Sequence, residues 1–83
     1  MSTRVKLPDP LDKLLPPQLE RAIYEAALHE DDEFIAKRRI IDKVGQIEVA
    51  TDLGWYRGAV STHEKYIFQR VADVAKRLYP NSA

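Results

Sequence analysis

Residues 46–61 read QIEVATDLGWYRGAVS and carry the clearest indication of the fold. It contains two short helical patterns joined at Gly54, a residue that adopts positive φ without steric cost. Ala50 provides a small side chain where the backbones of two steeply crossed helices would approach each other. The wedge between these helices is then expected to be filled by Leu53, Trp55 and Val60. The stretch therefore predicts a helix-turn-helix with its turn at Gly54.

Two more helices are predicted on the N-terminal side of this motif. The first begins near Pro17, whose missing N–H suits the start of a helix, and ends near His29. The second follows the acidic run at residues 30–33 and ends at Gly45, a residue suited to a helix C-terminus. We interpret the acidic run as a helix start that favours the helix dipole, with a ligand cluster as the alternative. The outer face of this second helix is expected to be basic, through Lys37, Arg38, Arg39 and Lys43.

The last predicted helix runs from about Tyr56 to about Leu78 and carries a long apolar stripe. The stripe has a heptad-like spacing and consists of Val60, Ile67, Val71, Val74 and Leu78. It continues about three turns beyond what the motif needs to close its own core. Its far end is therefore expected to be covered either by the first helix, folding back near Leu19 and Ile23, or by a second copy in a homodimer.

Residues 1–16 are predicted to form an extended N-terminal arm, because Pro8 and Pro10 interrupt any helical period. One apolar turn near the end of the arm could be formed by Leu11, Leu14 and Leu15. Residues 17–80 are predicted to form one helix-turn-helix domain. The expected fold class is all-α, a small helical bundle that contains a helix-turn-helix and a long C-terminal helix.

Composition and charge restrict the classes of function. The 83 residues suit one small domain and include no cysteine, which excludes disulfides and thiolate metal sites. No apolar stretch suits a membrane span or an export signal, so we expect a soluble, cytoplasmic protein. The net charge is zero, but residues 1–33 carry four basic and eight acidic side chains, whereas residues 34–83 carry nine basic and five acidic. The C-terminal half is therefore the part suited to face phosphate.

Residues 46–61 also share a pattern with a known family. They resemble the helix-turn-helix of sigma-70 region 4-like domains, and of short phage and prophage regulatory proteins in particular, in the spacing Gln46-x-x-Val49-Ala50-x-x-Leu53-Gly54-Trp55-x-Arg57-x-x-Val60-Ser61. The resemblance covers about residues 33–78. It implies a transcriptional or phage regulatory factor that binds double-stranded DNA with the second motif helix in the major groove. The resemblance also leaves open RNA polymerase or another protein as a further partner.

The expected DNA contacts lie at the start of the last helix, whose first turns would project outward. Short or polar side chains and two cations make up this candidate site: Tyr56, Arg57, Gly58, Ser61, Thr62 and Lys65. Gly58 would allow close approach to a base pair but has no side chain to read it. Tyr56 stands where the family usually has serine or another N-cap residue, so no cap hydrogen bond is expected there.

No enzymatic or metal chemistry is predicted from the remaining residues. His29 and His63 have no neighbours at ligand spacing, and Ser61 cannot pair with His63 because residues two apart on a helix point in different directions. Without a Gly-rich phosphate loop, no cofactor is expected either. Four aromatic side chains are interpreted as core residues, with a base-stacking platform as the alternative: Trp55, Tyr56, Tyr66 and Phe68.

A protein-interaction module is the contrasting class of function. The zero net charge and the acidic N-terminal half would permit the helical core to bind another protein instead of DNA. Salt separates the two classes, because a DNA binder loses affinity with a log–log slope of about −0.9 per phosphate contact.

Overall fold

The computed structural model describes residues 6–80, and within them the chain folds as a bundle of four α-helices without a strand. The helices are α1 (Pro16–Glu25), α2 (Glu30–Ala36), α3 (Gln46–Leu53) and α4 (Arg57–Leu78). A short 3-10 helix at Leu11–Lys13 precedes α1, and a π-helical segment at Lys37–Ile41 continues α2. The predicted all-α class is thus confirmed, including the long C-terminal helix.

The turn between α3 and α4 lies at Gly54, as predicted. Gly54 ends α3 in the left-handed region, with φ 74° and ψ 24°. The Trp55 N–H donates to the Ala50 carbonyl at 2.9 Å, which closes the turn. Val60 is fully buried, while Leu53 and Trp55 are partly buried against the same core. The three side chains therefore pack between the helices as the sequence pattern indicated.

Gly54→Val is expected to lower the free energy of unfolding by about 1–2 kcal/mol, because an L-residue in the left-handed region is sterically strained. No heavy atom lies within 4 Å of a Cβ added at Gly54, so the cost is conformational and not a clash. Gly45→Val is the matched control, since it adds the same side chain at a position that is equally open but has φ −69°. Chemical denaturation of both variants measures the difference, and equal midpoints would contradict the assigned turn.

The apolar stripe of α4 forms the centre of the bundle. Its buried members are Val60, Ile67, Val71 and Val74, and Leu78 is partly buried. Helix α1 packs against α4 and adds Leu19 and Ile23 to the same core. The Arg70 Nε donates to the Ala26 carbonyl at 3.1 Å and ties the end of α1 to α4. The stripe is thus buried within one chain as far as Val74 and partly covered at Leu78, so most of the apolar surface that motivated a homodimer is buried.

Part of the predicted N-terminal arm packs into the core. Leu11 is 1% exposed and Leu14 is 8% exposed, whereas Leu15 remains 66% exposed. The 3-10 geometry explains this selection, because side chains three residues apart lie on the same side of such a turn. An extended conformation is therefore the wrong description of residues 11–13, although the backbone of Leu14 is extended. The part of the arm at residues 1–5 lies outside the described residues.

The connections around α2 differ from the predicted ones. Helix α1 ends at Glu25 instead of near His29, and Ala27 takes a positive φ of 53° in the link to α2. All four residues of the acidic run, 30–33, lie in the first turn of α2, which agrees with the helix-start interpretation. Gly45 is not the C-terminal cap of this segment.

Lys43 makes the left-handed turn that was expected of Gly45. It has φ 59°, and its Nζ donates to the Ile40 carbonyl at 2.7 Å. The Val44 N–H reaches back to the Arg38 carbonyl at 2.9 Å, so the π-helical segment closes before Gly45 is reached. Gly45 has extended backbone angles and serves as the N-cap residue of α3.

Candidate nucleic-acid interface

The six candidate DNA contacts lie together at the N-terminal end of α4. Tyr56 is the N-cap residue, makes no side-chain cap hydrogen bond and is 78% exposed. Three residues of the first two turns are also exposed, namely Arg57, Gly58 and Thr62. Ser61 is partly buried, and Lys65 is exposed one turn further along. Because Arg57, Ser61 and Lys65 are four residues apart, they follow one another along the helix.

Gly58 has a local packing role that the sequence pattern did not reveal. A Cβ added at Gly58 would come within 3.0 Å of the Tyr56 ring. The aromatic ring therefore lies against the first turn of α4, and a side chain at position 58 would displace it. Thr62 completes this surface, and its hydroxyl donates to the Gly58 carbonyl at 3.0 Å. The Thr62 oxygen consequently presents its lone pairs outward as an acceptor.

A polar network lies directly behind this surface. Glu64 is only 8% exposed, and one of its carboxylate oxygens accepts from the Arg39 Nε. Its other oxygen accepts from the Gln46 Nε2 at 2.6 Å. The Arg39 Nη1 also donates to the Val44 carbonyl at 2.8 Å. Glu64 thus joins the π-helical segment, α3 and α4 through one buried carboxylate.

The prediction that Arg39 lies on the basic outer face of the second helix is wrong. Its side chain is 12% exposed and turns inward to Glu64. A π-helical turn holds more residues than an α-helical turn, so the spacing of an α-helix assigns the wrong face to this segment. Ile40, the next residue of the π-helical segment, is also fully buried.

Most other cations near the π-helical segment are paired with carboxylates. The Lys37 Nζ lies 3.5 Å from a Glu33 oxygen. Arg38 lies 3.3 Å from a carboxylate oxygen of Asp42 and 3.4 Å from one of Asp52. This region therefore contributes little net positive charge to the surface.

Helix α4 carries most of the cations that form no ion pair within residues 6–80. Within residues 6–80, no ion pair is formed by its five cations, which are Arg57, Lys65, Arg70, Lys76 and Arg77. Its two carboxylates are Glu64, which is neutralised by Arg39, and Asp73, which accepts from Gln69 at 2.9 Å. The exposed side of α4 is therefore net positive, although the whole chain is neutral.

His63 connects α4 with α2 and with the turn after α3. Its Nδ1 lies 2.8 Å from an Asp32 carboxylate oxygen, and its ring centroid lies 4.8 Å from that of Trp55. Ser61 has no contact with His63 among these interactions. The cluster fixes the turn after α3 against the first turn of α2.

The four aromatic residues divide into two groups. Trp55 and Phe68 are partly buried against the core, as the preferred interpretation predicted. Tyr56 and Tyr66 are 78% and 60% exposed, so the core interpretation is wrong for these two. Tyr66 lies on α4, and Tyr56 is the N-cap residue of the same helix.

No protein-family model, curated protein sequence or solved structure matches this chain. In the described part of the chain, no helix is both long enough and apolar enough to cross a membrane. Residues 6–80 also contain no cluster of three or more histidine, aspartate or glutamate side chains with the arrangement of a metal site.

Proposed function

We propose that this protein binds double-stranded DNA with the first turns of α4 in the major groove. The observation that carries the proposal is the exposed, net-positive row at the start of α4, supported from behind by α3. An α-helix with its side chains is about 10–12 Å wide and fits the major groove of B-DNA, which is about 12 Å wide. The small residues Gly58 and Ser61 allow the helix backbone to come close to the base edges.

The spacing along α4 separates two kinds of contact. Arg57 and Lys65 are eight residues apart, which is about 12 Å along the helix axis. This distance is similar to the width of the groove, so one cation can reach base edges while the other meets a phosphate at its rim. We assign base contact to Arg57 and phosphate contact to Lys65. The more specific role, transcriptional or phage regulation, rests on the resemblance of residues 46–61 to sigma-70 region 4-like domains.

Arg57→Ala and Lys65→Ala are expected to weaken duplex binding without unfolding the protein. The Arg57 variant should lose about 1–3 kcal/mol of binding free energy on its selected site and little on unrelated DNA. The Lys65 variant should lose affinity on all duplexes, with a salt slope smaller by about one. Fluorescence anisotropy at several salt concentrations, on sites selected from a random duplex pool, measures both effects.

Lys37→Ala and Arg21→Ala are matched controls for this experiment. Each removes the same type of charge from an exposed side chain, 56% exposed for Lys37 and 62% for Arg21, on a helix outside the candidate interface. Both controls should bind the selected duplex almost as the parent does. The α4 docking mode would be contradicted if all four variants bound with the same affinity and the same salt slope.

A surface depression between α1 and α2 favours protein binding as a second candidate function. It is lined by Glu20, Tyr24, Glu33, Lys37, Ile41 and Asp42. The Tyr24 ring is 76% exposed, and carboxylates outnumber the single lysine around it. The depression therefore suits a basic segment of another protein, such as RNA polymerase. A chain that bound no duplex even at low salt would favour this candidate over the DNA-binding one.

A further inference from the structure

The guanidinium group of Arg57 is held on one side and free on the other. Its Nε donates to the Gln46 Oε1 at 3.2 Å, which links the first residues of α4 and α3. Its two terminal nitrogens, Nη1 and Nη2, form no hydrogen bond or ion pair with any residue of the described range 6–80. The exposed side chain therefore presents two parallel N–H donors at a position fixed by its third nitrogen.

Glu64 determines which end of the Gln46 amide faces Arg57. An ionised carboxylate only accepts hydrogen bonds, so the amide nitrogen of Gln46 has to face Glu64, where it donates at 2.6 Å. The amide oxygen is then directed to the Arg57 Nε. Glu64 is itself held by Arg39 at a largely buried position. A continuous polar chain thus runs from Arg39 through Glu64 and Gln46 to the exposed Arg57.

We infer that Gln46 and Glu64 are positioning residues that present the Nη1 and Nη2 groups of Arg57 to the O6 and N7 atoms of a guanine. This inference rests on the proposed DNA binding. Guanine offers two acceptors side by side in the major groove, whereas adenine pairs its N7 acceptor with the N6 donor group. Arginine has only donors, so adenine places a donor against a donor. Because Gln46 occupies the Nε, Arg57 approaches the base end-on through its two terminal nitrogens.

The ratio of affinities for duplexes with guanine or adenine at one position tests the inference. On a site selected by the parent protein, guanine should be favoured at the Arg57 contact by on the order of 10- to 100-fold. Arg57→Lys keeps the charge but lacks the planar fork, so it should lose most of this preference at an unchanged salt slope. Gln46→Ala should reduce the preference severalfold, also without a change in the salt slope.

Gln18→Ala is the control, because Gln18 lies in the first turn of α1, where its amide oxygen accepts only from the Leu15 N–H. Its guanine preference should equal that of the parent. In the Arg57→Lys background, Gln46→Ala should have no further effect on the preference, because Gln46 acts through Arg57. A merely structural role of Gln46 would instead lower the melting temperature and the affinity for all duplexes together.

These measurements separate a failure of the proposed DNA binding from a failure of the inference about Arg57 and Gln46. If no duplex binds at low salt, both the proposed function and this inference are overturned. If duplexes bind with a steep salt slope but the parent does not distinguish guanine from adenine at any position that depends on Arg57, only the inference is overturned. The same conclusion follows if Gln46→Ala retains the full guanine preference.

Discussion

Leu11→Ala is expected to lower the free energy of unfolding by about 2–5 kcal/mol. The Leu11 side chain is 1% exposed and belongs to the single core cluster, although it lies before the first α-helix. Removing it leaves a cavity that the surrounding helices can close only in part. An effect of this size would be a large part of the stability of an 83-residue chain, because small domains have little stability in reserve.

Leu15→Ala is the matched control, since the same side chain is removed at a position that is 66% exposed. Its free energy of unfolding should change by less than about 0.5 kcal/mol. Urea denaturation followed by circular dichroism measures both values. If the two variants unfolded at the same urea concentration, residues 11–14 would be an arm outside the core, as the positions of the prolines alone suggest.

Glu64→Ala is expected to cost about 3 kcal/mol of stability. The substitution leaves the Arg39 guanidinium, only 12% exposed, without its carboxylate partner, and an unpaired buried charge is strongly unfavourable. It also removes the acceptor of the Gln46 amide. Glu48→Ala is the control, because Glu48 is 65% exposed and lies 3.8 Å from Arg38. Exposed pairs of this kind contribute about 0–1 kcal/mol.

A double variant separates the loss of the ion pair from damage to packing. Arg39→Met combined with Glu64→Met removes both charges and keeps apolar volume at both positions. It should recover much of the stability lost in Glu64→Ala, because replacing a buried pair with apolar residues is often neutral. Thermal and urea denaturation are the measurements. A Glu64→Ala protein as stable as Glu48→Ala would show that Glu64 and Arg39 are accessible to water.

The buried pair connects stability with the proposed recognition of DNA. Glu64 neutralises Arg39 inside the bundle and orients Gln46 at its surface. A fully apolar core could provide stability, but it could not orient the amide of Gln46. This is a physical reason for placing a charged pair, which adds little net stability, directly behind the exposed start of α4.

Much of the helix-turn-helix could be predicted because its signals are local. The boundaries of α3 agree with the sequence pattern, and the positive φ of Gly54 follows from the conformational freedom of glycine. The absence of a cap hydrogen bond at Tyr56 was predicted for the same kind of reason, since a tyrosine side chain does not cap a helix. Each of these features depends on residues within a few positions of one another.

The polar network could not be predicted from these local signals. Arg39 and Glu64 are 25 residues apart, and Gln46 and Glu64 are 18 apart. The spacing of an α-helix placed Arg39 outside, because nothing in the sequence marks the π-helical segment that turns it inward. The sequence likewise did not indicate that Lys43, and not Gly45, adopts the left-handed conformation.

Local sequence patterns were enough to predict the helical class, the turn at Gly54 and the row of candidate contacts along α4. These features follow from periodicity, glycine and proline positions, which act over one or two helical turns. Packing between helices, in contrast, makes Leu11 a core residue, brings α1 against α4 and lets Gln46 hold Arg57. These outcomes depend on which distant surfaces meet, because burial and hydrogen-bond partners are set by packing between helices.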